Sequence, residues 1–319
     1  MHWRSSVSFL AIFLTGFTVK AFTPASPNPL LLSYYNPIKH SSAYENSGFM
    51  ITTSISNLLE VNSGRYTKIN LYLDMELYRF DFLYTTQLFH NTFFSIHTAF
   101  LMASTGVMDE PLNAFHSLLG IDSDGRKNSP NNDFVFYFYD YTTEQYLISI
   151  TDPRELIGLV DPDLTITHVL NSNISVFLGG KIPISNNPPH GSSTFDLCAG
   201  VNIKVPLFGD VKIHSEISYI HLGRNSVYEP YLNNDILRYS FSLHNIVFDG
   251  LFVTLTGETP RFSSTDTTDL DYDHLQLIVG KTFALSNTTE MFFYISEDVS
   301  SYGPAVDVSF GGGVLFFIK

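Results

Sequence analysis

Eleven histidines in a chain with a single cysteine are the residues best equipped for chemistry here. His214 and Glu216 stand two residues apart in a stretch that alternates like a strand, so both side chains project from one face. His244 shares a polar face with Arg238, Lys204 lies on the polar face of a third stretch, and His97 follows close on Ser95. Three chemistries are open to such residues. The first is metal binding, but the His-x₃₋₅-His spacing of structural zinc sites is missing, so no metal site is expected. The second is hydrolysis of lipid by a serine and a histidine on a barrel wall. No motif of that kind is legible, and no catalytic residue or cofactor is expected. The third is the polar lining of a lumen that meets a small molecule. His116 and Arg126, in a long loop, either contact a ligand over a pore or tie the loop to the wall through hydrogen bonds and a charge pair. The ligand or lumen candidates are therefore His116, Arg126, Lys204, His214, Glu216, Arg238 and His244.

The elements that must carry these residues are strands. In Phe195–Val205 the odd positions Phe195, Leu197, Ala199, Val201, Ile203 and Val205 are apolar, against Asp196, Cys198, Gly200, Asn202 and Lys204. Val211–Tyr219 and Leu237–His244 repeat the pattern, each with one oily and one wet face. Weaker versions run through Ile69–Leu73, Phe80–Leu88, Phe94–Met102, Leu164–Leu170, Ile174–Ile184, Leu251–Leu255, Leu275–Phe283 and Met291–Ile295. Repeated segments of about ten residues with dyad alternation are the signature of transmembrane barrel strands. Tight turns at 171–173, 207–210, 248–250 and 286–288 alternate with longer polar links, as expected of the two rims of such a barrel. Ala305–Ile318, apolar at Val306, Val308, Phe310, Val314, Phe316 and Ile318, reads as the closing strand. Phe134–Ile150 is one long strand or a hairpin, and the choice sets the expected wall at about 12 to 14 strands, even in number.

Composition agrees. Hydrophobic residues make up 44% and charged residues only 15% of the 319 positions, with 28 Phe and 18 Tyr. A net charge of −14 excludes a phosphate-binding groove and a nucleic-acid partner. Arg4, the apolar run Val7–Val19 and the small residues before Phe22 are expected to form a secretory signal cut after Ala21. That run is shorter than the roughly 20 residues of a spanning helix. Residues 22–45, with Pro24, Pro27, Pro29 and Pro37, form a leader, either periplasmic or threaded into the lumen as a plug, and 46–319 form the barrel, with a long loop at 104–133.

Three passages carry a resemblance. Phe115-His116 with Gly120 and Gly125-Arg126, the run Gly158-Leu159-Val160-Asp161-Pro162, and Ile295-Ser296-Glu297-Asp298 with Asp307-Val308-Ser309-Phe310 together resemble a bacterial family of unknown function. Its members look like outer-membrane barrels; Val160 replaces a glycine of the pattern. The resemblance implies fold and place but carries no activity over. The expected function is a narrow outer-membrane pore or a carrier for a small or hydrophobic molecule. The alternatives are a plugged structural barrel and, behind it, a lipid hydrolase. Expected partners are outer-membrane lipid, a small or hydrophobic ligand, and the barrel-assembly machinery through the last strand.

Overall fold

A computed structural model describes residues 22–40, 44–62, 67–111, 114, 133–185, 188–224, 227–229, 231–246, 249–267, 270–299 and 308–318. Fourteen strands longer than two residues are described: β1 (Gly48–Asn62), β2 (Ile69–Phe89), β3 (Thr92–Ser104), β4 (Val135–Asp140), β5 (Gln145–Ile150), β6 (Asp163–Asn171) and β7 (Ile174–Lys181) in the first half. The second half holds β8 (Asp196–Phe208), β9 (Val211–His221), β10 (Asp235–His244), β11 (Leu251–Glu258), β12 (His274–Ser286), β13 (Thr289–Asp298) and β14 (Val308–Phe317).

Twelve of them close a barrel, each antiparallel to its neighbours. β3 pairs with β2 on one side and, through Thr92–His97, with β6 on the other. β14 pairs with β13 and with β1, where Phe317 faces Gly48 and Val308 faces Asn57. Closure leaves no edge, so every stave finds backbone partners on both sides, which is the condition for strands in lipid. Ring size is thus settled at the lower expected number. The other two strands, β4 and β5, form a hairpin on the upper continuation of β2, with Ile69–Asp74 of β2 facing Asp140–Val135. Phe134–Ile150 is accordingly a hairpin, and it stands outside the ring.

One correction concerns β2. The expected strands Ile69–Leu73 and Phe80–Leu88 are a single stave of 21 residues. The residues between them include Asp74 and Glu76, charges that would be costly in a lipid-facing row. Here they are covered: Glu76 Oε1 accepts the Val107 N–H at 2.6 Å and also the Met108 N–H. The start of the loop after β3 therefore folds over the outer wall, where Met108 packs against Val308 and Ile55.

Tight links, with Asn91, Gly209 and Gly250 at positive φ, lie on the lower rim beside Gly48 and Phe317. The outer wall carries exposed apolar residues around the ring, among them Ile51, Phe82, Ile96, Leu178, Leu197, Ile217, Phe241, Val279, Phe293 and Phe310. A band of that extent on a soluble protein would far exceed ordinary exposed patches; facing acyl chains it is satisfied.

The inside is filled. Residues 22–40 run within the barrel, paired on themselves at Phe22–Thr23 and Lys39–His40. At the upper end Leu30, Leu32, Tyr34 and Tyr35 join a core with Leu71 and Leu73 of β2, Phe136 and Phe138 of β4, and the loop residues Tyr228 and Phe262. At the lower end Phe22 packs on Phe292 and Tyr294 of β13, with ring centroids 4.4 and 5.0 Å away. Asn28 caps the single helical turn Pro29–Leu32, whose missing proline N–H costs nothing at that position.

Candidate functional site: the barrel lumen

Alternation sends even positions of β8, β9 and β10 inward. Lys204, His214, Glu216, Arg238 and His244 accordingly all stand on the inner wall. His116 and Arg126 lie outside the described residues. The partners of the inward five come largely from the leader. Lys204 pairs with Glu45, and Glu216 with Lys39 at 3.4 Å. Lys39 Nζ also sits 3.9 Å from the centroid of the Phe177 ring, a cation–π contact in a partly dry site. Arg238 donates to Glu258 of β11 at 3.0 Å, and Arg261, in the following link, donates to the same carboxylate at 2.6 Å. One acid between two guanidinium groups is held tightly. His214 and His244 are diagonal neighbours on β9 and β10, with ring centroids 4.8 Å apart.

Two small cavities adjoin this group. The first is lined by Lys39, Glu45, Phe177, Lys204, His214 and Glu216, the second by Asn36, Lys39, Glu216, Arg238, Glu258 and His274. Lys39 and Glu216 line both, so the bridge between leader and wall borders each of them.

Further inward groups were not among the ligand or lumen candidates. His97 bonds Asp81 through Nε2 at 2.8 Å and Asp163 through Nδ1 at 3.1 Å, while Arg79 donates to Asp81 at 2.8 Å. A doubly protonated ring satisfies both acids, giving a neutral quartet. Lys181 lies 3.5 Å from both Asp161 and Asp196 and donates to the Ser33 carbonyl at 2.5 Å and to Ser192. Asp196 in turn accepts the Tyr35 N–H at 2.8 Å, so that acid and Lys181 fasten the leader. Asp161 is buried and accepts the Ile184 and Ser185 N–H groups, both at 2.8 Å. The leader's own phenols, Tyr35 and Tyr44, are pushed well above the usual tyrosine value by burial and remain neutral. Alternation alone could have marked Arg79, Asp81 and His97 as inward. No local signal marks Lys39 or Glu45, because the leader has no period.

A closed antiparallel ring with an apolar outer band and a charged, internally occupied lumen defines an integral-membrane β-barrel. The chain belongs to the family described as "Protein of unknown function (DUF3187)", which matches residues 4–316 and agrees with the resemblance read from the sequence. No curated protein sequence matches it. Solved structures similar to it include the NanC porin, at 6% identity and a TM-score of 0.44 over 85% of this chain and 100% of that one. LpxR from Salmonella typhimurium is similar at 11% identity and 0.41, over 84% and 100% of the two chains. The P. putida toluene transporter TodX follows at 9% and 0.40, over 92% and 93%.

Proposed function

We propose that the protein is an outer-membrane barrel, exported by its amino-terminal signal, that passes or carries a small molecule through a lumen its own leader occludes at rest. The observation that carries this reading is the pair of cavities that the Lys39–Glu216 bridge borders. The leader is fastened by hydrogen bonds and ion pairs, with no covalent tie among the described residues, so its withdrawal would join the two spaces. The lining mixes Phe177 and Tyr44 with paired charges, which suits a small molecule with both apolar and polar parts. A wall of twelve staves is narrower than the open porins of about 16 to 18 strands, consistent with a restricted route.

A non-enzymatic role is supported by how the histidines are engaged. His168 meets the Thr92 hydroxyl at 2.8 Å and His221 meets Asp235 at 2.8 Å. Among the described residues no histidine bonds both a hydroxyl nucleophile and an acid, as nucleophilic hydrolysis requires.

Planar-bilayer recording tests the proposal. Wild type is expected to stay closed with rare brief steps, and a variant lacking residues 22–44 to conduct steadily. Silence of both at every voltage, with the deleted barrel still heat-modifiable on a gel, would remove transport. It would leave a plugged structural barrel.

A further inference from the structure

His214 and His244 differ from the paired charges of the lumen. Arg79, Asp81, His97, Lys181, Arg238, Glu258 and Arg261 each have a hydrogen-bond or ion-pair partner, whereas both nitrogens of both these rings lack a hydrogen-bond partner. The rings are buried, His244 completely and His214 to 9% exposure. Four bare imidazole nitrogens side by side are a costly thing to bury. A ligand that accepts one lone pair from each neutral ring would satisfy two of the four nitrogens and remove part of that cost.

The geometry points to a divalent transition-metal site of the borderline class that imidazole prefers, such as Zn²⁺ or Cu²⁺, held by His214 and His244 at the lower end of the lumen. Two imidazoles bound at about 2.1 Å to one tetrahedral ion place their ring centroids about 5 Å apart. The observed separation is 4.8 Å, with the planes 60° apart. Register supports the pair: His214 faces Ser242 and His244 faces Lys212, so the two sit on one diagonal of the same inner face. Phe252, whose ring lies 5.9 Å from that of His244 at an angle of 22°, backs that side chain.

Access is built in on one side, because His214 lines the first cavity. Water from that cavity completes the coordination, as in metal sites that keep open positions. Charges around it nearly balance, since Lys204 is paired with Glu45 and Lys39 with Glu216. Lys212, two residues from His214, adds a positive charge that weakens the site, so micromolar rather than nanomolar affinity is expected. Sequence spacing could not show this, because the ligands come from two strands with no zinc-motif interval. Ion binding requires no passage through the barrel, so electrical silence in a bilayer leaves the inference standing.

The test uses full-length, untagged protein in detergent, with folding confirmed by its unboiled gel mobility. Cu²⁺ is titrated into wild type, His214→Gln, His244→Gln and the double variant, and Zn²⁺ is tested as a competitor. Losing a ligand should cost no less than the roughly 10- to 100-fold caused by losing a ligand's own hydrogen-bond partner. The expected result is therefore at least about tenfold weaker Cu²⁺ binding in each single variant and loss of that site in the double one. Electron paramagnetic resonance of wild type with one equivalent of Cu²⁺ should show two imidazole nitrogens, a readout that does not depend on the variants folding. Equal affinity in wild type and the double variant, or an oxygen-only spectrum, would overturn the assignment.

Discussion

At the residue scale the lumen is held by charges that are buried and mutually satisfied. His97 is 2% exposed and lies between two acids, one of which also holds Arg79. Removing one member of such a group strands the rest without water, and breaking a buried pair costs about 3–5 kcal/mol. His97→Ala is therefore expected to lower the unfolding free energy by that order, seen as a lower urea midpoint followed through the mobility of the unboiled band. An unchanged midpoint would mean that water reaches Asp81 and Asp163 and the quartet contributes little. What the sequence conveys at this scale is the face on which a residue stands. Lys204, His214, Glu216, Arg238 and His244 are inward because they alternate with Ile203, Ile213, Ile217, Leu237 and Leu243. Their partners were not legible, since His97 finds Asp81 and Asp163 at separations of 16 and 66 residues, across strand pairings that no local pattern encodes.

The elements tell a similar story. Asp196–Phe208, Val211–His221 and Asp235–His244 were readable within a few residues because each has one face in lipid and one in the lumen. The pattern failed where a strand leaves lipid. The upper part of β2 is covered by the β4–β5 hairpin and the loop after β3, so both of its faces are buried and the dyad fades. The leader was the least legible element: it has no secondary-structure period, and its fit is made by isolated contacts. One of these can be probed. A side chain at Gly179 of β7 would place its Cβ 2.4 Å from the Tyr35 hydroxyl and 3.1 Å from the Leu164 carbonyl. Gly179→Val is thus expected to push Tyr35 off the wall and loosen the leader while the ring stays closed. The overpacking cost is about 1–3 kcal/mol. Trypsin or chymotrypsin should then cleave within residues 22–45 of the variant and spare wild type. Equal protection in both would show that Tyr35 does not anchor the leader.

At the scale of the whole molecule, fold class was the most legible property, because alternation repeated along the whole length of a chain encodes a closed sheet better than any single strand does. The number of staves was not, since β4 and β5 alternate as well as the wall does: Phe136, Phe138, Ile148 and Ile150 point into the upper core. Only pairing partners separate a stave from a hairpin set upon it. The central claim is that the outer apolar band, from Ile51 and Phe82 round to Phe293 and Phe310, faces acyl chains. The most direct measurement separates inner from outer membranes of expressing cells and runs each fraction on a denaturing gel, boiled and unboiled. The account predicts a protein in the outer-membrane fraction whose unboiled band runs ahead of the boiled one. A protein in the soluble fraction with a single mobility would contradict it, and the proposed passage through the lumen would fall as well.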